Sequence, residues 1–284
     1  MVAAHRTLPA ALPSDQARID GSVWAIGMVR NEQDTITHVV DHLAEQGVDA
    51  FLIADNDSTD DTPRLLEELA GRHRLYVVSD RLRAYYQGTK MTMLAEAARR
   101  AGADWVVPFD ADELWFARDE PLADLLRRSP HDVVRAQLHN VFPSHDDGDD
   151  ADPFVRLTAF DPIPSPLGKV AARTHRWLSI ATGNHAVTRP GTAGDGLFIA
   201  HFPWRSYEQV AEKLRAGREA FRDVEDQSIG THWRRGGELD DRELRETWND
   251  LLSGHPVETL SWSPVGTTEH HRVAAWHSWQ APPG

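Results

Sequence analysis

Residues 105–113 read WVVPFDADE, an apolar run of Trp105, Val106, Val107 and Phe109 that meets Asp110, Asp112 and Glu113 with almost no polar transition. Such a run reads as a buried strand, with the acids arriving where it would leave the core. An unpaired carboxylate is costly to bury, so these acids need solvent, a cation or a ligand.

The same rhythm surrounds this stretch. Val23–Val29 (VWAIGMV), Ala50–Ala54 (AFLIA) and Leu75–Val78 are further strand-like runs. A helical segment over about 34–46 carries Ile36, Val39, Val40 and Leu43 at helical spacing and stops at Gly47. Pro63 opens a second, with Leu65, Leu66 and Leu69 as its apolar face. Thr89 to Arg100 forms a third, with Met93, Leu94 and Ala97 facing inward and Gly102 closing it. Strand–helix alternation with short connections predicts an α/β fold, a mostly parallel sheet with helices on both faces. Ligands of such sheets bind beyond the carboxyl ends of the strands. Three polar clusters fall at those ends: Arg30-Asn31-Glu32, Asp55-Asn56-Asp57 and Asp110-Ala111-Asp112-Glu113.

After about residue 131 the pattern weakens. His145 to Asp152 (HDDGDDAD) reads as a mobile acidic surface loop whose spacing does not match an EF-hand. Residues 161–168 form a proline-rich connector, and 169–200 have the look of short strands. A helix runs from Ser206 to about Asp223, with Ser206 and Gln209 as a capping box and Tyr207, Val210, Leu214 and Phe221 as its buried stripe. Another helix lies within 238–254, and the last 25 or so residues read as irregular.

The 284 residues are 40% hydrophobic and 26% charged, the balance of an ordinary globular protein. A net charge of −14 argues against non-specific binding to nucleic acid or anionic lipid. No apolar stretch approaches the roughly 18 residues that cross a bilayer, so no integral membrane association is expected. Residues 1–20 read as a flexible leader, not a signal peptide. There is no cysteine, which removes disulfides and thiolate sites and fits a cytoplasmic location.

Asp110 and Asp112, two residues apart at a strand end, can converge on one cation. Carboxylate oxygens suit Mg2+ or Mn2+, which complete their shells with phosphate oxygens. Together with this strand, the segments V-R-N-E (Val29–Glu32), D-N-D-S-T-D-D-T (Asp55–Thr62), Lys90 and W-V-V-P-F-D-A-D-E resemble, in order and spacing, the nucleotide-binding half of GT-A fold glycosyltransferases of family 2. The resemblance covers about a third of the chain, residues 23–120. Asn56 and Asp57 depart from the family's D-D-G-S-T-D-G-T loop.

The resemblance implies a GT-A, Rossmann-like sheet and a metal-dependent transfer of a sugar from a UDP- or GDP-type donor to an acceptor hydroxyl, with inversion. Residues 21–130 would be the nucleotide-sugar half and 131–284 the acceptor and C-terminal helical part of the same domain. Asp55 would accept hydrogen bonds from the base, an acceptor-only carboxylate selecting an edge with N–H groups. Val29 and Asn31 would line base and ribose, with Glu32 and Asp57 beside them. Lys90 and Arg205 would approach the diphosphate, joined by Lys213. Asp110 would sit near the ribose and the metal, and Asp112 on the metal. H-F-P-W-R-S (His201–Ser206) resembles a late segment of the same subgroup and makes His201 the candidate third metal ligand, ahead of His185 and His175. For the base, Glu113 and His185 rank ahead of Asp161 and Asp195. A nucleotidyltransferase of related sheet and a non-catalytic carbohydrate-binding protein are the alternatives. The first lacks its glycine-rich basic loop, since M-V-R-N-E-Q-D stands there.

Overall fold

A computed structural model describes residues 12, 16–82, 86–222 and 235–280, with backbone alone at 220–222. Most of the expected leader, the Phe221 side chain and Asp223 lie outside the described residues. Strands β1 (Val23–Val29), β2 (Ala50–Asp55), β3 (Leu75–Ser79) and β4 (Trp105–Phe109) pair in parallel in the order β4-β1-β2-β3. Helices α1 (Ile36–Glu45), α2 (Thr62–Ala70) and α3 (Gln87–Arg100) connect them.

Both faces are dry, which is why these strands read as continuous apolar runs. Val23, Ala25, Val29, Phe51, Ile53, Trp105, Val107 and Phe109 pack on the α1 and α2 side with Ile36, Val39, Val40, Leu43, Leu66 and Leu69. The alternate residues Trp24, Ile26, Leu52, Ala54 and Val106 pack on α3 through Met91, Leu94, Ala95 and Ala98. Met91, not Met93, is the methionine that α3 buries.

Beyond β4 the chain turns into strand β5 (Glu113–Ala117) and helix α4 (Leu122–Arg128). A ten-residue strand β6 (Val133–Phe142) follows, then α5 (Pro153–Arg156), β7 (Ala159–Phe160), β8 (Lys169–Arg173), β9 (Ser179–Ile180) and β10 (Val187–Thr188). Strand β11 (Ala193–His201), helices α6 (Tyr207–Arg222) and α7 (Asp241–Leu252) and strand β12 (Glu269–His270) complete the order. β8 lies antiparallel between β4 and β6, while β6 runs parallel to β11 and β11 antiparallel to β5. Most paired residues in this ten-stranded sheet are parallel, and the antiparallel pairs fall in its second half.

Two registers decide the site. His201 at the end of β11 stands opposite Glu113 on one side and Asn140 on the other. The acidic stretch after β4 and a histidine 88 positions beyond Glu113 therefore share one edge. Behind them α6 and α7 pack with Phe142, Trp204 and Leu260. Ser206 caps α6 through the N–H of Gln209, but the Gln209 side chain receives the N–H of Arg205, so the expected box opens one residue early. The expected loop 145–152 is pinned at its end, where Asp152 meets His38 at 2.7 Å and caps α5. No helix among the described residues is long and apolar enough to cross a membrane.

Candidate active site

The C-terminal ends of β1, β2 and β4 lie side by side, since Val29 stands opposite Asp55 and Gly27 opposite Phe109. The two loops after β1 and β2 are stitched together. Asn31, at φ 54, donates its N–H to Ser58 Oγ and accepts from the Thr59 N–H, while Glu32 N–H bonds Thr62 Oγ1. Asp55 is half-buried, with Oδ1 accepting from Ser58 N–H, and Asp57 is exposed at φ 58. Non-glycine residues in the left-handed region carry a modest conformational cost, here borne by asparagine and aspartate, which tolerate it best.

Asp112 is 5% exposed yet ionised. Burial pushes its carboxyl up, but Lys213 above all, with Arg205, holds it well below the usual carboxylate range. Lys213 Nζ is 2.6 Å away, His201 Nε2 3.7 Å and Arg205 Nη1 3.8 Å. Asp112, Glu113 and His201 bring ligand atoms within 4.8 Å of one another.

The donor set fits a divalent cation through its histidine. His201 Nδ1 lies 2.8 Å from Asn140 Oδ1, an acceptor-only atom, so Nδ1 carries the proton. Burial lowers the His201 pKa, keeping the ring neutral. Nε2 then presents a lone pair toward the anionic Asp112, two acceptors face to face, the tautomer that a metal-binding histidine uses. Asp112 and His201 would hold the ion.

Glu113 is the main surprise among the three acids. It does not end in solvent but opens β5, is 0% exposed, and bonds Asp110 N–H at 3.2 Å and Trp115 Nε1 at 3.1 Å through Oε2. Its other oxygen lies 2.5 Å from Lys169 Nζ. Burial raises its pKa to about 8 despite that lysine, and none of the residue is open to solvent. Lys169 also touches Asp110, whose other oxygen accepts from Asn184 Nδ2 at 3.3 Å.

Other expected positions move. The Val29 side chain belongs to the core, and its carbonyl accepts from Asn56 N–H. Lys90 is buried beneath the end of β3, 2.5 Å from Asp80 and against the Leu82 carbonyl, rather than pointing outward to a phosphate. Asn56 joins the same knot through Asp80 Oδ2 at 2.8 Å. Arg205, 3% exposed, is clamped by Glu32 at 2.7 Å and Asp34 at 2.7 Å, so it ties the α6 entry to the β1 loop. Burial raises the Glu32 carboxyl even beside Arg205. His185 stands outside the Asp112 cluster, half-buried, with Nδ1 2.8 Å from the Gly168 carbonyl and Asn184 as its chain neighbour. Asp161 is wholly buried, receiving the N–H groups of Ile163 and Val265, and exposed Asp195 sits toward the opposite end of β11 from His201. His175 faces Trp177. Lys169, Asn184 and Asn140 were not anticipated. The scarcity of lysine in the sequence is the one signal that could have drawn attention to Lys169.

The family model described as glycosyl transferase family 2 matches residues 26–176. No curated protein sequence matches the chain. Among solved structures the chain is similar to S. aureus TarS 1–349 in complex with UDP, at 15% identity and a TM-score of 0.43, over 76% of this chain and 70% of that one. It is also similar to glucosyl-3-phosphoglycerate synthase from Mycobacterium tuberculosis in complex with Mn2+, UDP and glucosyl-3-phosphoglycerate, at 17% identity and a TM-score of 0.36, over 71% and 79% of the two chains.

Proposed function

From the premise that this chain belongs to glycosyl transferase family 2 and is a glycosyltransferase, we propose that it moves a sugar from a nucleoside-diphosphate donor to an acceptor hydroxyl with the help of Mn2+ or Mg2+. The observation that carries this reading is the Asp112–His201 pair, an ionised carboxylate facing a neutral imidazole lone pair at the carboxyl edge of a parallel sheet. Lys213 balances Asp112 here, and a divalent cation would share that carboxylate with His201 when the donor binds. The cation, when bound, would neutralise charge on the departing diphosphate.

The chain's own residues divide the remaining work. Asp55 accepts from the N–H groups of a base presented at the end of β2, with the Asn31–Thr59 bridge shaping that pocket. Asp110 faces the ribose. Lys213, reaching Asp112 from α6, is placed to follow the diphosphate as a mobile ammonium, and Arg205 holds the α6 entry so that it can. Residues 131–284 supply the acceptor side.

His185 is the better candidate base. Its Nδ1–H donates to the Gly168 carbonyl, which leaves Nε2 as the acceptor, and its ring is partly open. Removal of the acceptor proton by one group suits the inverting course. A base lost in His185→Asn would lower kcat by roughly 100-fold or more with little change in donor KM. An unchanged kcat, or a change in KM alone, would move that role elsewhere.

A thermal-denaturation panel of UDP, GDP, ADP, CDP and dTDP with Mg2+ tests the donor reading. UDP or GDP should raise Tm by several degrees where the others do not, since binding to the folded state alone stabilises it. No shift with any nucleotide would remove the donor site from this edge of the sheet.

A further inference from the structure

Lysine is scarce in this chain. Among its 30 basic residues only Lys90, Lys169 and Lys213 are lysines. All three stand at the strand-end edge, each against a carboxylate, with Arg205 among the same acids. A lysine is a compact point charge with three donors, able to touch two carboxylates from one nitrogen.

Lys169 opens β8 and is 4% exposed. Its ammonium is shared between Asp110 and Glu113, and burial, which alone would lower its pKa, is outweighed by those two acids. The Gly168 that precedes it has no room for a Cβ against the Ala136 carbonyl, so the backbone approach that delivers the lysine requires glycine. Across the carboxylate, Asn184 donates to Asp110 Oδ1. Asn184 is wholly buried at φ 59, and its own Oδ1 has no hydrogen-bond partner among the described residues. A strained residue with an orphaned acceptor is retained where the local geometry demands it. Here the demand is the Nδ2 contact with Asp110. Glu113 meanwhile grips the Asp110 backbone N–H. Asp110 is thus fixed at both oxygens and at its backbone, by groups that are themselves buried.

We propose that Lys169 is a positioning residue of the donor site, which with Asn184 aims the free lone pairs of Asp110 at the ribose hydroxyls of the nucleotide. This rests on the nucleoside-diphosphate reading above. Glu113 is the second carboxyl that the buried ammonium touches, and it holds the lysine against Asp110.

The test is calorimetric binding of UDP or GDP, whichever the wild type takes, and of its 2′-deoxy and 3′-deoxy analogues, with Mg2+. The proteins are the wild type, Lys169→Met and the pair Lys169→Met/Glu113→Gln. Glutamine keeps an acceptor for Asp110 N–H and Trp115 Nε1, so the pair removes the ammonium without leaving an ionisable carboxyl buried in its place. The wild type should prefer the ribonucleotide by roughly tenfold or more over at least one deoxy analogue. In the double variant the urea midpoint should stay near the wild-type value while that preference falls toward one.

A folded double variant that keeps the preference would overturn the proposal and leave Lys169 a structural residue. A wild type that binds ribo- and deoxynucleotides alike would overturn it too. A wild type that binds no nucleotide would instead sink the donor reading itself. If the variants do not fold, lysine-selective 13C labelling of the wild type gives three lysine signals. The Lys169 signal should then move with the ribonucleotide more than with the deoxy analogue, and equal movement would count against the proposal.

Discussion

Lys169→Met alone leaves Asp110 and Glu113 side by side without the ammonium they share, and breaking a buried pair from one side costs up to about 3–5 kcal/mol. Urea denaturation should show that loss, with most of it recovered in Lys169→Met/Glu113→Gln. Asn140→Leu is the complementary substitution on the other side of the site. It removes the acceptor that fixes the His201 tautomer, and loss of such a supporting bond weakens metal binding by roughly 10–100-fold. Manganese titration followed by electron paramagnetic resonance, in the presence of nucleotide, measures it. Unchanged affinity would mean that His201 is not oriented by Asn140. Among single residues, the meeting of Asp112 and His201 at one edge was legible because a carboxylate at a strand end and a histidine in a matching segment carry their chemistry in their type. Lys169, Asn184 and Asn140 were not, since their partners lie 59, 74 and 61 positions away in the chain. For the same reason the enclosure of Glu113 was not foreseen, because nothing local to DADE announces that a lysine from β8 will cover it.

Gly88 shows how an element can depend on a missing methyl group. It sits in the first turn of α3, where alanine would normally favour the helix by up to about 1 kcal/mol. A Cβ there would stand 2.9 Å from the Ile180 carbonyl and 3.0 Å from Thr182 N, in the backbone of the segment that carries Asn184. Gly88→Ala should therefore destabilise by about 1–3 kcal/mol through overpacking and weaken nucleotide binding with it. A variant as stable as wild type would show that this segment yields freely. The first four strands and three helices were readable because parallel strands buried on both faces are unbroken apolar runs. β5 was hidden by the acids before it, although Leu114, Trp115 and Phe116 are as apolar as any run in the chain. β6 and β11 were reduced to a weakening pattern because Arg135, Gln137 and His139 interrupt one, and glycine and aspartate thin the other. Their identity as long central strands comes from pairing with each other across more than fifty residues, which no local window contains.

The whole molecule carries a built-in acid sensitivity away from the site. His42, on α1, is buried with Nε2 2.8 Å from the Trp115 carbonyl, and burial lowers its pKa to about 4. Between about 6.5 and 4 the unfolded chain binds a proton that the folded chain refuses, so stability is full above that window and falls as pH drops through it. At pH 5 the loss from His42 alone is about 2 kcal/mol. His42→Gln keeps a donor for Trp115 and should lose that much less between pH 7 and pH 5 in urea titrations, whereas an unaltered pH dependence would place the sensitivity in other groups. The function, by contrast, is concentrated at one edge of the sheet and turns on whether Asp112 and His201 take a cation together with a nucleotide. Calorimetric binding of UDP and GDP to wild type and Asp112→Ala, each with Mn2+ and with EDTA, decides it. One nucleotide should bind with Mn2+, and that binding should be lost with EDTA or with the alanine. Binding indifferent to both, or absent throughout, would contradict a metal-assisted nucleotide-sugar site at the end of WVVPF.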